Sequence, residues 1–456
     1  MNNIFQADKI SYGPINFHGI TFNKEQIVKN RDELCRVLEK NMKSKSPFVA
    51  VMAANHIKSV ISFYSILRLG KICVWLDPNL GSIEIEEMIK ELKPAAIIKV
   101  NSDEINFDYG KEINYANADE YPQITSDLSG VCALLYTAAE DGYSKAAMMT
   151  EKNFTAMGYA MIEKLRIRPE DTNFALLPLN HIFGLVIGVV LPVLSDCTNV
   201  LHDINQLRKL DKSVYNFAKY KVTHFYSVPV IYHFLSRIKE TREAMSSIYC
   251  CVTAGVKLPK IVYDAFLETT GHPIYEGYGL TETTTTCTWN EPGEPVRIET
   301  VGKPFVCGQV KIFDDNYKEC AINQKGEICI RGDHLFKGYF NHEKYNAQIF
   351  RNGWFSTGDY GKIDETGYVH FLGIKKDMLN VNGINIYPKE VERLMLYNDN
   401  VKSVKVSSEM NQFQTMAAKA DIELNHKGLD QEALFKEWCR IHFAKEKIPK
   451  SFNFVN

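Results

Sequence analysis

What this chain lacks narrows the field first. Its longest apolar run, IFGLVIGVVLPVL at 182–194, falls short of the roughly 20 residues a membrane-spanning helix needs. A buried helix with Pro192 near its end is expected there instead. The opening residues MNNIFQADKISYGPINF have no basic segment followed by an apolar one, the pattern of a secretion signal. Charge of one sign is not in excess: 53 basic residues stand against 55 acidic, a net charge of -2. That balance gives no electrostatic ground for binding nucleic acid or an anionic membrane. The 11 cysteines are scattered, and no two have the two-residue gap of a zinc or redox site. An odd number without a signal-like start is expected of reduced thiols in the cytoplasm. No short-period repeat or low-complexity tract is present.

What is present is ordinary globular composition, 45% hydrophobic and 24% charged, over 456 residues. That length suffices for two or three domains. The first hundred residues alternate. PFVAVMAA (47–54), KICVWLD (71–77) and AAIIKV (95–100) read as strands. Between them, Val60, Phe63, Tyr64 and Leu67 recur at helical spacing, and EIEEMIKELK (84–93) reads as a helix. VTHFYSVP (222–229), a strand ending in a proline turn, repeats the pattern before the helix IYHFLSRI. Such alternation predicts an α/β fold with doubly wound, mostly parallel sheets. Beyond residue 300, short strands with Gly and Asp turns predict a β-rich subdomain, and from about 377 a smaller α+β segment follows.

One stretch sets a chemical question. LLYTAAEDGYSKAAMMTEKN (134–153) has the frame of a phosphate-gripping loop: Tyr-Thr, a turn with Gly142, Lys145, then a helix start. Such loops are rich in Gly, Ser and Thr, whose amides and hydroxyls donate to phosphate. Here Ala138, Ala139, Glu140 and Asp141 form the tip. At about 5 Å and an effective dielectric near 20, each carboxylate–phosphate charge pair costs roughly 3 kcal/mol.

Five separated segments, EGYGLTET (276–283), VGKPFVCG (301–308), GEICIRGDHLFKGYF (326–340), WFSTGDY (354–360) and KKDMLNVNGINIYPKEVE (375–392), occur in one order and spacing. Together they resemble the adenylate-forming superfamily of acyl- and aryl-CoA synthetases, peptide-synthetase adenylation domains and luciferases. The resemblance spans nearly the whole chain. It implies a large N-terminal domain at 1–374 and a small mobile C-terminal domain at 375–456. It also implies a two-step reaction: a carboxylate attacks the α-phosphate of Mg-ATP, then a thiol takes the acyl group from the adenylate.

Residue by residue, the resemblance makes Glu282 the magnesium ligand, a hard oxygen for a hard cation. Thr281 and Thr137 become phosphate-contacting hydroxyls, and Lys145 and Gly142 the surviving phosphate-loop positions. Tyr278 and Gly279 would pack on adenine, with Ala254 and Gly255 flanking it. Asp359 would accept the ribose hydroxyls, and Lys376 marks the domain hinge. His181, in PLNHIFG, would stand near the carboxylate, and reads equally well as a helix-capping histidine. No acidic residue pairs an ammonium group in that segment, which argues against an α-amino acid substrate. Thr283 to Thr286 would line an acyl or aryl pocket or pack as a plain strand.

Three departures bear on adenylation. The loop has lost hydroxyls and glycines and gained two carboxylates. The Gly-Arg that precedes the hinge in the superfamily is Gly373-Ile374 here. KIPKSFNFVN ends before the segment that would carry the adenylation lysine, and Lys450 belongs to an earlier, structural part. Three readings stay open at this point. The first is an acyl- or aryl-binding relative with weakened or lost ATP use, acting on preformed acyl thioesters. The second is a working AMP-forming acid–thiol ligase with an atypical loop. The third is a non-catalytic partner of a synthetase or carrier protein. ATP or AMP, Mg2+, and coenzyme A or carrier-protein pantetheine are the implied cofactors. A small acyl or aryl carboxylate, or its thioester, is the implied ligand.

Overall fold

The computed structural model describes residues 12–100, 107, 109, 112–138, 142–202, 210–375, 379–381, 384–410, 416–426 and 429–455. Two large sheets organise the N-terminal part. In the six-stranded one, Ala96–Lys99, Phe48–Met52, Ile72–Leu76 and Val131–Thr137 run parallel, with Ile113–Tyr115 and Lys145–Thr150 as antiparallel edges. FVAVM and ICVWL are buried at every position, as expected for parallel strands covered on both faces. The nine-stranded sheet has a parallel centre that includes Thr172–Ala175, His224–Ser227, Cys250–Thr253 and Ile274–Tyr278. The main core joins both sheets to the helices Ile57–Arg68 and Glu151–Leu165.

The apolar run at 182–194 is buried up to Val193 and helical, but its middle turn Val186–Val190 is a π-helix. Asn199 Nδ2 donates to Gly188 O at 2.8 Å and Tyr64 OH to Val189 O at 2.5 Å, serving carbonyls in this widened turn. Pro192 is the second residue of the α-turn Leu191–Ser195 that continues this helix; it has no N–H for Gly188 O four residues back, the carbonyl that Asn199 serves. Pro229 opens the helix Pro229–Leu235 and does not form a separate turn.

The β-rich region is a five-stranded antiparallel sheet including Gly326–Gly332, Trp354–Ile363 and Val369–Ile374. A capping box anchors it to the rest. Thr150 and Asn153 exchange side-chain–backbone hydrogen bonds at the start of Glu151–Leu165, and Asn153 Nδ2 also donates to Leu335 O and Asp333 O. At the C-terminal end, the strands Val401–Met410, Met416–Leu424 and Ser451–Phe454 pack with the helices Pro388–Met395 and Leu429–His442 around a separate apolar core.

This small region is pinned to the large one by charge. The buried Lys447 ammonium bonds Glu84, at the start of the helix Ser82–Leu92, and Glu390 at 2.9 Å. Burial alone would depress the Lys447 pKa, but Glu390 and Glu84 outweigh it and push it up to about 12. Arg393 forms a bidentate pair with Glu87, at 2.5 and 3.0 Å, and donates to Gly142 O at 2.8 Å. Ser144 Oγ donates to Glu390 at 2.9 Å.

Gly142 has a left-handed φ of +84°, and a Cβ there would stand 2.9 Å from Lys389 O. Both the conformation and the close approach favour glycine. The loop's flank therefore docks on the small domain. One expectation is corrected here: Lys145 opens the strand Lys145–Thr150, paired antiparallel with Val131–Thr137, and the rest of that strand separates it from the helix. Ala139, Glu140 and Asp141 lie outside the described residues.

Candidate functional site

A cavity of about 310 Å³ opens beyond the carboxyl ends of Val131–Thr137, Cys250–Thr253 and Ile274–Tyr278. That is where open parallel sheets place ligands. Its volume is at the low end of the roughly 300–1,000 Å³ of small-molecule sites. Thr137, His181, Ala254, Gly255, Tyr278, Gly279, Thr281, Glu282 and Asp359, drawn from the whole length of the large region, all line it.

On one side Tyr278 OH donates to Asp359 Oδ2 at 2.6 Å, and the Tyr278 ring stacks on Phe371 with centroids 5.8 Å apart. Burial, then the Asp359 charge, pushes the Tyr278 phenol well above its ordinary pKa, so it stays a donor. Asp359 lies within the strand Trp354–Ile363, not in the turn that the tripeptide Thr-Gly-Asp suggests alone. Its cross-strand neighbour is Ile374, which also lines the cavity. Lys375 turns to the other face, where its ammonium pairs with Glu327 at 3.1 Å and Asp315 at 3.2 Å.

On the other side Glu282 Oε1 accepts from Tyr339 OH at 2.5 Å and from Thr137 Oγ1 at 3.3 Å. Burial, then Glu282, raises the Tyr339 phenol far above its usual pKa. Thr281–Thr283 form a 3₁₀ turn, and Thr284 and Thr285 follow with φ of 52° and 97°. This corrects the strand alternative for Thr283–Thr286. Positive φ on β-branched residues stores strain, which clusters at functional sites. Thr285 and Thr286 reach the cavity.

His181 unites its two expected readings. It is the N-cap of Ile182–Leu185, its Nδ1 accepting from Phe183 N–H at 3.3 Å, and its ring also faces the cavity. Desolvation lowers its pKa, which favours the neutral ring. Accepting at Nδ1 leaves the proton on Nε2 as a donor. Lys145 is 2% exposed, with its ammonium 5.0 Å from the Tyr345 ring centroid; neither it nor Gly142 forms part of the cavity wall. Lys376 lies outside the described residues.

Sequence reasoning missed Glu276, Tyr339 and Tyr387, all in the wall. All three stand inside quoted segments, EGYG, KGYF and NIYPKEVE, and that membership was the only visible signal. Glu276 Oε1 accepts Leu258 N–H at 2.8 Å. Burial raises its carboxyl pKa to about 7, with the Leu258 amide and Lys257 opposing. A raised pKa means Glu276 favours folding fully below its unfolded pKa, a contribution lost as pH rises through about 7. The cost at high pH is on the order of 3 kcal/mol. Glu276→Gln should therefore be increasingly stabilising relative to the parent between pH 5 and 8. Thermal melts at both pH values test this, and a pH-independent difference between the two proteins would contradict it.

Fold and site together define a class: a protein of two packed α/β sheets and a β-rich subdomain, with a small C-terminal domain docked beside a cavity at the strand ends. The chain belongs to the AMP-binding enzyme family, whose model matches residues 15–340, and so to the adenylate-forming superfamily. It is 25% identical to a long-chain-fatty-acid–CoA ligase of Salmonella typhimurium, over 90% of this chain and 82% of that one. It is 27% identical to a 2-succinylbenzoate–CoA ligase of Bacillus pumilus, over 93% and 87%. Among solved structures, a double mutant of o-succinylbenzoate CoA synthetase from Bacillus subtilis superposes with a TM-score of 0.83 at 24% identity, covering 98% of this chain and 92% of that one. A malonyl-CoA ligase carrying methylmalonyl-CoA and AMP superposes at 0.82 with 21% identity, covering 100% and 98%. No described helix is long and apolar enough to cross a membrane.

Proposed function

We propose that this protein binds a small acyl or aryl carboxylate, or its thioester, in the cavity, and that its ATP-dependent adenylation is strongly weakened. The observation that carries the reading is Ile374. An aliphatic side chain stands in the wall opposite Asp359, where the superfamily resemblance implies an arginine for the nucleotide. Lys375 does not compensate, because its ammonium is held by Glu327 and Asp315 on the other face. Loss of a charge-assisted hydrogen bond is worth roughly 1.5–3 kcal/mol. The loop adds Ala138 at the cavity, with no hydroxyl for a phosphate oxygen.

In this reading Tyr278, Asp359, Ala254, Gly255 and Gly279 form a nucleoside-shaped wall and His181 Nε2–H faces the carboxylate. Glu282 suits Mg2+, which takes one or two carboxylates plus substrate phosphates and not an all-protein cage. A working AMP-forming ligase is the second reading. Glu282, Thr137 and Thr281 favour it, since all three reach the cavity together.

Calorimetric titration with Mg-ATP separates the two. The expected result is binding no tighter than millimolar in a protein that melts cooperatively. Micromolar, magnesium-dependent binding, followed by acid-dependent AMP release, would establish the second reading instead.

A further inference from the structure

Two buried donors, one lining the cavity and one packed against the lining residue Gly277, are left without a partner in the protein. Thr286 lines the cavity, is 2% exposed, and its Oγ1 makes no hydrogen bond. Trp289 Nε1 is likewise buried without a partner. Its indole lies over Gly277, in the cavity wall, with Nε1 2.0 Å from where a Cβ would sit. Phe183, also in the wall, packs against Trp289 with centroids 6.4 Å apart. A side chain at 277 would fill the space the indole takes. Leaving a buried donor unsatisfied is costly, so such groups mark either ligand or water.

An indole N–H only donates, so its complement is an acceptor. Among the described lining residues the one lysine, Lys257, is exposed. A second carboxylate at this end would be buried without a counter-charge. A neutral oxygen suits both donors. The modest volume, shared with the Tyr278–Asp359 side, leaves room for a short or single-ring body.

We infer that the acyl group this protein recognises is short or monocyclic and carries a neutral oxygen acceptor remote from the reacting carboxylate: a hydroxyl, keto or ether oxygen read by Thr286 and Trp289. This rests on the acyl-binding reading above and narrows it away from saturated chains.

The test uses matched pairs on the full chain: butyrate with 3-hydroxybutyrate, and benzoate with 4-hydroxybenzoate. Each is titrated calorimetrically both as the free acid and as its coenzyme A thioester, with coenzyme A alone as reference. The expected result is that the oxygenated member of at least one pair binds roughly tenfold tighter. Thr286→Val should erase that preference, and Thr286→Ser should restore it. Equal binding within both pairs, or no binding by any member in either form, overturns the inference and assigns the two donors to buried water. A preference that Thr286→Val leaves intact overturns it as well. Mg-ATP titration is independent of these outcomes. Micromolar ATP binding alongside an oxygen preference would reject weakened adenylation and retain the acyl class.

Discussion

Ile374→Arg should tighten Mg-ATP binding by roughly 10- to 150-fold. That range follows from the 1.5–3 kcal/mol of a charge-assisted hydrogen bond at about 1.4 kcal/mol per factor of ten. The geometry is favourable. Residue 374 ends the strand Val369–Ile374, pairs with Asp359 and is only partly buried, so a guanidinium can extend into the cavity without a large desolvation cost. Asp359 already supplies a neighbouring negative charge. Planarity and fixed donors matter, so Ile374→Lys should recover less, and Ile374→Met nothing. The measurement is calorimetric, with thermal melts confirming the fold. If arginine leaves ATP affinity unchanged, the loss resides in the loop around Ala138 and the weight placed on Ile374 is mistaken.

Lys447→Met should release the small domain. Lys447 is 7% exposed and holds Glu84 of the large region and Glu390 of the small one at once. Removing the cation leaves two buried carboxylates, and breaking such a pair costs roughly 3–5 kcal/mol. The cheapest relief is to open the interface and hydrate both. Limited proteolysis and hydrogen exchange over Pro388–Met395 should therefore accelerate strongly, with the core strand Phe48–Met52 unaffected. Adding Glu84→Gln and Glu390→Gln to Lys447→Met should recover most of the protection, because no uncompensated charge then remains. The sign with pH is also fixed. A lysine whose pKa is raised to about 12 contributes fully below its unfolded value near 10.4 and loses that contribution as pH climbs through 12. The lysine's contribution should hence be flat from pH 6 to 9. Unchanged exchange in Lys447→Met would mean that Arg393–Glu87 and the apolar contacts alone hold the domain.

Much of this architecture was legible because its signals are local. FVAVM, ICVWL and the helical spacing of Val60, Phe63 and Tyr64 encode a buried strand or helix without help from distant residues. The site was legible wherever short segments kept a recognisable order, which brought Tyr278, Glu282 and Asp359 to one cavity. What stayed hidden depends on partners far along the chain. Whether Lys375 could stand in for an arginine turned on Glu327 and Asp315, positions no spacing relates to it. Lys447 reads as one lysine among many until Glu84, more than 360 residues earlier, is beside it. The strand after Lys145 was missed because KAAMMT carries Ala and Met, good helix formers, and pairing with Val131–Thr137 overrides that preference.

The hydrogen bond from Arg393 to Gly142 O has a consequence beyond holding two parts together. Coupling between sites is reciprocal: whatever pulls the loop away from the small domain must, by the same factor, be favoured when that domain leaves. The loop therefore carries a tether as well as whatever ligand it meets. That tether needs the left-handed bend at Gly142, because the group that Arg393 binds is a backbone carbonyl.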